Sequence, residues 1–372
     1  SPIGDITIPA QEIGSTVFDW FLVSADEDAI TGSVPCVITI TAGTDEYPYQ
    51  VVEDIALELT LSQFGFPLES IIVKSSPIVA DLDTDGYKEI YFGSDNNLLH
   101  GHNSFGEELA GFPFQSTDRI RSSPAIGDVD NDGQMEIVFG NCSGKLYIIN
   151  QDGSQQLAYT QLGFVEGAPA LVDIDGDQDL EIIFTTTTGS GGQVYVIHHN
   201  GATESGFPKE IGSMFAGPAV HDLDNDGVVD VVCVTYDKEI YAIEAIGGAI
   251  KAGFPFTAES RFSMPATIVD IDSDGDYEIA AGCNSGDLYI LHHDGTIHSQ
   301  YDTGDDIRGG ISVCDLNNDG QLDLLFGGYD DRIHVWDPMT GELLPGWPVD
   351  LGYNSLSEPC LLYTSPSPRD VE

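Results

Sequence analysis

The chain has 372 residues, 41% of them apolar, which is enough to bury a substantial core and to hold two domains. Its 62 acidic residues against 12 basic ones give a formal charge of -50, excluding nucleic-acid binding as a main role because that needs a basic face. No apolar run approaches the ~20 residues of a membrane span, and Cys36, Cys142, Cys233, Cys283, Cys314 and Cys360 contain no CxxC pair, so they read as buried free thiols.

In chain order, residues 1–63 come first. The stretch "VFDWFLVSADEDAITGSVPCVITITAG" alternates apolar and polar residues over two strands around an Asp/Gly turn, as at one edge of a β-sandwich. It resembles the C-terminal part of the immunoglobulin-like modules of secreted bacterial hydrolases and surface proteins. The text opens in mid-strand without a signal-peptide pattern, so the expectation is a fragment whose secretion signal lies upstream.

Residues 64–359 repeat one theme six times, starting at Asp81, Asp128, Asp173, Asp222, Asp270 and Asp315, with steps of 47, 45, 49, 48 and 45 residues. Each copy has a small-residue or proline lead, a short apolar stretch, an acidic loop, a second apolar stretch often ending in Phe-Gly, and a further strand. "SSPAIGDVDNDGQMEIVFG" shows the pattern whole. The flanks are short β-branched and aromatic runs between Gly and Asn/Asp turns, which predicts antiparallel strands. About 45 residues with about four strands make one β-propeller blade, which must stack on its neighbours to bury its faces. The expected fold is therefore all-β, with six recognisable blades and the start of a seventh.

Gly-Phe-Pro recurs at Gly65–Pro67, Gly111–Pro113, Gly206–Pro208 and Gly253–Pro255, with Gly346-Trp347-Pro348 as a variant, and is expected to plug the seam between blades. Counting on from Trp347 and Pro359, the next loop would begin at residue 363, which is Tyr363. The repeat stops there. The tail, residues 360–372 ("CLLYTSPSPRDVE"), resembles translated sequencing-adaptor text, the alternative being a natural Ser/Pro-rich tail.

Each loop sets side-chain oxygens at positions 1, 3, 5 and 9. The sets are Asp81, Asp83, Asp85 and Glu89; Asp128, Asp130, Asp132 and Glu136; Asp173, Asp175, Asp177 and Glu181. The remaining three are Asp222, Asp224, Asp226 and Asp230; Asp270, Asp272, Asp274 and Glu278; Asp315, Asn317, Asp319 and Asp323. Only oxygen ligands are offered, in a flexible loop, which suits calcium better than magnesium or zinc, at about one ion per loop. Gly86, Gly133, Gly227, Gly275 and Gly320 stand at position 6, where a side chain is expected to obstruct the turn. The third loop departs with Gly176 at position 4 and Gln178 at position 6, and the sixth with neutral Asn317. An EF-hand begins with the same text but needs a bidentate acid at position 12 and flanking helices. Position 12 is Phe92, Phe139, Phe184, Cys233, Ala281 and Phe326, and the flanks are strands.

These loops, the following Phe-Gly, and "GAP" at Gly167-Ala168-Pro169 resemble FG-GAP/VCBS repeats, the repeats of integrin α-subunit propellers. That resemblance implies structural calcium in the loops and an extracellular or cell-surface module for adhesion or for binding a protein or glycan ligand, not itself catalytic. An accessory region of a secreted peptidase or polysaccharide-degrading enzyme is the alternative. A propeller enzyme, lyase or quinoprotein-like, is more remote: "RIHVWDPMTGELLPGW" resembles a quinoprotein blade, but no adjacent Cys pair accompanies it, and no GxSxG, HExxH or Walker loop occurs. The pairs His198-His199 and His292-His293 precede Asn-Gly and Asp-Gly turns; adjacent strand residues face opposite ways, so they read as turn packing rather than a chelate. Trp336 and Trp347 read as seam packing.

Overall fold

The computed structural model describes residues 32–44, 47–59, 68, 71–161, 163–189, 191–355 and 359. The chain divides into two compact units, Ser1–Pro67 and Leu68–Glu372. In the first, Gly32–Thr44 and Tyr47–Leu59 pair antiparallel as one hairpin, with Gly32 opposite Leu59 and Thr44 opposite Tyr47. The earlier of the two strands read in this region, and with it the immunoglobulin-like expectation, lies outside the described residues, as does the tail at 360–372.

The second unit is a β-propeller, with no helix among the described residues. Five consecutive four-stranded antiparallel sheets and a sixth with an additional short strand follow one another along the chain. The first strands are Ile78–Ala80, Ala125–Gly127, Ala170–Val172, Ala219–His221, Thr267–Val269 and Ser312–Cys314. They lie side by side from blade 1 to blade 5. The second strands are Glu89–Gly93, Glu136–Gly140, Glu181–Thr185, Asp230–Val234, Glu278–Gly282 and Asp323–Gly327. Because side chains alternate along a strand, each of blades 2 to 5 serves two seams. Tyr91 and Leu99 of blade 1 pack on Ile137, Phe139, Tyr147 and Ile149 of blade 2, whose Val138, Leu146 and Ile148 pack on Ile182, Phe184 and Ile197 of blade 3. The alternation continues through blades 4 to 6, where Trp336 is buried in the seam as expected. Cys142, Cys233 and Cys283 are buried free thiols, and Cys314 is half-buried.

The Phe-Gly motif has a steric basis. Its Phe fills the seam toward the preceding blade, while a Cβ on Gly93 or Gly140 would come within 2.2 or 2.1 Å of Ile120 or Val165, which lead into the next blade; Gly282, which follows Ala281, meets Ile307 in the same way at 2.4 Å. Gly-Phe-Pro also sits at a seam. A Cβ on Gly111, Gly206 or Gly253 would strike the backbone of Asp152, Gly247 or Asp294 in the neighbouring blade's return turn at 2.0, 2.2 and 1.8 Å. In blades 1, 3 and 4 it interrupts the last strand: a single bridge (His102 to Glu108, Ile197 to Thr203, Ile243 to Ile250) precedes it, and a two-residue strand follows. Blades 2 and 5 lack the motif and run unbroken last strands, Gln155–Thr160 and Ile297–Asp302. At blade 6, Ser355 donates its N–H to Gly328 and Ser312 donates its hydroxyl to Pro359, the contacts that Ile307 and Ile311 make on blade 5. This is the lead of the next repeat, where the sequence places it.

Gly253 combines φ +90° with that contact, whereas Gly341 has φ +74° and nothing within 4 Å of a Cβ. Gly253→Ala should therefore destabilise by about 3 kcal/mol or more and Gly341→Ala by about 1 kcal/mol, measured by denaturant unfolding.

Candidate metal centres

Every acidic loop joins the first strand of its blade to the second, so position 9 is the first residue of the second strand. That acid is buried in all six blades, Glu181, Asp230 and Glu278 completely. One of its oxygens accepts the backbone N–H of position 2: Leu82 to Glu89 at 2.9 Å, Val129 to Glu136 at 3.0 Å, Ile174 to Glu181 at 3.0 Å, Leu223 to Asp230 at 3.1 Å, and Ile271 to Glu278 and Leu316 to Asp323 at 2.9 Å. Burial, reinforced by the neighbouring carboxylates, raises the pKa of Glu89 and Glu136 despite the donated N–H, and pushes Glu136 up to about 7. Burial likewise raises Glu181, Asp230, Glu278 and Asp323.

The first Asp folds the loop around itself. Its Oδ2 accepts the position-6 N–H at 3.0 Å in loop 1 and 2.8 Å in loop 4. The position-5 Asp accepts the N–H two residues on, as Asp85 does from Tyr87 at 2.7 Å. Positions 1, 3 and 9 converge in loops 1 to 4, each offering a ligand oxygen within 4.8 Å of the others. Asp85 joins that group in loop 1, while Asp132, Asp177 and Asp226 stand outside it. Five buried carboxylate oxygens in these loops have no hydrogen-bond partner: Oδ1 of Asp81, Asp130, Asp224, Asp230 and Asp270. Converging, dry, unpartnered anionic oxygens fit a hard cation, and nothing softer than oxygen lies among positions 1, 3 and 9.

The FG-GAP-like repeat model matches residues 81–139, 128–184, 173–233 and 270–326, over half the chain, each window running from one loop's first Asp to the next loop's position 12. The chain belongs to the FG-GAP-like repeat family. Among solved structures it is similar to BBS1N in complex with ARL6DN. The mercury-soaked crystal gives a TM-score of 0.53 at 11% identity, covering 77% of this chain and 83% of that one. The lead-soaked crystal gives 0.50 at 11% identity, covering 75% and 83%. Identity this low shows the fold alone. No curated protein matches the chain in sequence.

Two expectations about the FG-GAP-like loops need correction. Space does not explain Gly at position 6, because a Cβ on Gly86, Gly133, Gly227, Gly275 or Gly320 would meet nothing within 4 Å. The backbone does, since positions 4 and 6 are left-handed in all six loops. Loop 3 departs in sequence but not in shape: Gly176 and Gln178 hold φ 81° and 80°, and the Gln178 N–H still reaches Asp173 Oδ2 at 3.1 Å. The histidine pairs are also more than turn packing. His198 and His292 hydrogen-bond the position-9 acids Glu181 and Glu278 at 2.9 and 3.2 Å, while Nδ1 of His199 and His293 lies 3.0 and 3.2 Å from Asp179 and Asp276 without a hydrogen bond. The two members of each pair face different acids.

Sequence reading missed Lys251. It sits on the return of blade 4, far from loop 4 in sequence, and its ammonium lies 2.9 Å from Asp224 and 2.8 Å from Asp230. That bond lowers the pKa of Asp224, whereas burial still raises Asp230. The Oδ1 atoms of both remain unpartnered. In blade 2 the neutral Gln156 amide reaches Asp130 at 2.7 Å from the corresponding side.

Gln178→Gly should relieve left-handed strain and raise stability by about 1 kcal/mol in chemical denaturation. Lys251→Met should lower it by about 3 kcal/mol in chelator, because it strips the buried Asp230 of its counter-charge, with a smaller loss in calcium.

Proposed function

We propose that this chain is a calcium-loaded propeller module that works outside the cell as a non-catalytic binder of a protein or glycan. The observation that carries this reading is the set of buried, unpartnered carboxylate oxygens in FG-GAP-like loops. Asp81, Asp83, Asp85 and Glu89 would hold the ion in loop 1. Positions 1, 3 and 9 would do so in the other loops, with position 5 or water completing the shell and Asn317 weakening loop 6. Bound calcium supplies positive charge that cancels the repulsion within each loop. The chain's own residues shape the loop and exclude water from the position-9 acid. The blades form a stiff frame, and the loops and turns between their strands are the surface available for recognition. BBS1N, of similar fold, was solved with ARL6DN bound, which supports a protein partner as one class of ligand.

With calcium about a hundredfold above its dissociation constant, each site adds roughly 2.7 kcal/mol to the folded state. Excess chelator should therefore lower the melting temperature by at least about 10 °C, and returning calcium should restore it. A melt indifferent to chelator would contradict the proposal. Replacing Glu136 with Gln, which keeps the shape and removes the charge, should abolish one site's share of the calcium-dependent gain.

A further inference from the structure

Outside the acidic loops, blade 1 gathers His100, His102 and Glu108, each offering one ligand atom within 4.8 Å of the others. The histidines stand two apart on the strand Leu98–His102 and so share one face of the sheet. Leu99, the residue just before the pair, packs toward blade 2, and strand alternation places both histidines on the opposite side. Their rings are nearly parallel, 5.9 Å apart at 13°, and Phe92 stacks on His100 at 5.0 Å.

Both imidazoles are more than nine-tenths buried, at 5% and 6% exposure. Nδ1 of His102 lies 3.1 Å from the Gly106 carbonyl, which can only accept, so Nδ1 carries the hydrogen and Nε2 the lone pair. Nδ1 of His100 lies 3.4 Å from the Glu108 carboxylate, a separation that two ligands of one small cation also have. Neither Nε2 has a hydrogen-bond partner.

The other blades show what this register normally holds. His100 stands opposite Phe92 as Tyr147, Tyr195, Tyr241 and Tyr289 stand in blades 2 to 5, and His102 stands opposite Ile90 as Ile149, Ile197, Ile243 and Leu291 do. Blade 6 carries His334 at the first register, and both its nitrogens are satisfied, by Tyr301 at 3.2 Å and Asp330 at 2.8 Å. A single histidine here is thus accommodated by its neighbours, while each ring of the blade 1 pair keeps a buried, unpartnered nitrogen, with a carboxylate beside them.

We propose that His100, His102 and Glu108 form a binding site for a divalent transition metal of the zinc class, distinct from the acidic loops. Two imidazole nitrogens and one carboxylate suit zinc, nickel or copper and not calcium. Three protein ligands leave a fourth position for water, with Glu108, the exposed member, on the solvent side. The Gly106 carbonyl is the outer partner that fixes the ring of His102.

The test is a calorimetric zinc titration of the full chain in saturating calcium, so that the acidic loops are already filled. The wild-type chain should take up one zinc. His100→Tyr and His102→Ile, which install the residues used by the sister blades and should leave the calcium-bound melt intact, should each weaken uptake by about 100-fold or more. Glu108→Gln, at an exposed position, should weaken it too and decides the matter should a histidine variant not fold. Cobalt(II) should give visible d–d absorption that zinc displaces. No zinc uptake, or uptake undiminished in the variants, would overturn the proposal.

Discussion

A carboxylate buried at the start of each blade's second strand accepts the N–H of the residue just after the loop's first Asp, and this bond ties the acidic loop to the sheet. The same bond creates the electrostatic problem of the fold. It draws the Asp oxygens of positions 1 and 3 toward an anion stripped of water, and two unit charges about 5 Å apart repel by roughly 3 kcal/mol at an effective dielectric near 20. Burial of the position-9 acid makes protonation the only relief unless positive charge is supplied. Lys251 supplies part of it in blade 4, and His198 and His292 stand where they can in blades 3 and 5. Blade 1 has no such group on Glu89 among the described residues, and its cluster draws in all four acids of its loop where those of loops 2 to 4 draw in three.

The propeller could be read from the sequence because its signals are local and repeated. Asp, Gly and short β-branched runs at a fixed spacing specify loop and strand without long-range information. Position 9 was legible as an acid of the loop, but its burial was not, because an acid beginning a strand looks the same exposed or buried until the sheet is stacked. The position-6 glycines pointed correctly to a special turn and wrongly to a steric cause, since sequence cannot separate a forbidden φ from a forbidden Cβ. Lys251 and Gln156 reach the loops from the return of the blade, over 20 residues later, and no periodic signal marks them. The spacing His100-Gly101-His102 could have been noticed, because residues two apart on a strand share a face.

Seam and loop are built from one short segment. In "EIVFG" the Glu closes the acidic loop, Ile137 and Phe139 turn to blade 1, Val138 turns to blade 3, and Gly140 admits Val165. Loop electrostatics and seam packing are therefore coupled through five consecutive residues, and a disturbed loop must loosen two seams. A chain with a formal charge of -50 concentrates part of that charge where packing is tightest, and the proposed cations would then enter its folding equilibrium.

A calorimetric calcium titration of the chain tests this account most directly. It predicts several binding events with favourable heat, their number reduced by one when a single position-9 acid is neutralised. A titration without binding heat, or one unchanged by that neutralisation, would contradict it and leave the acidic loops as turns.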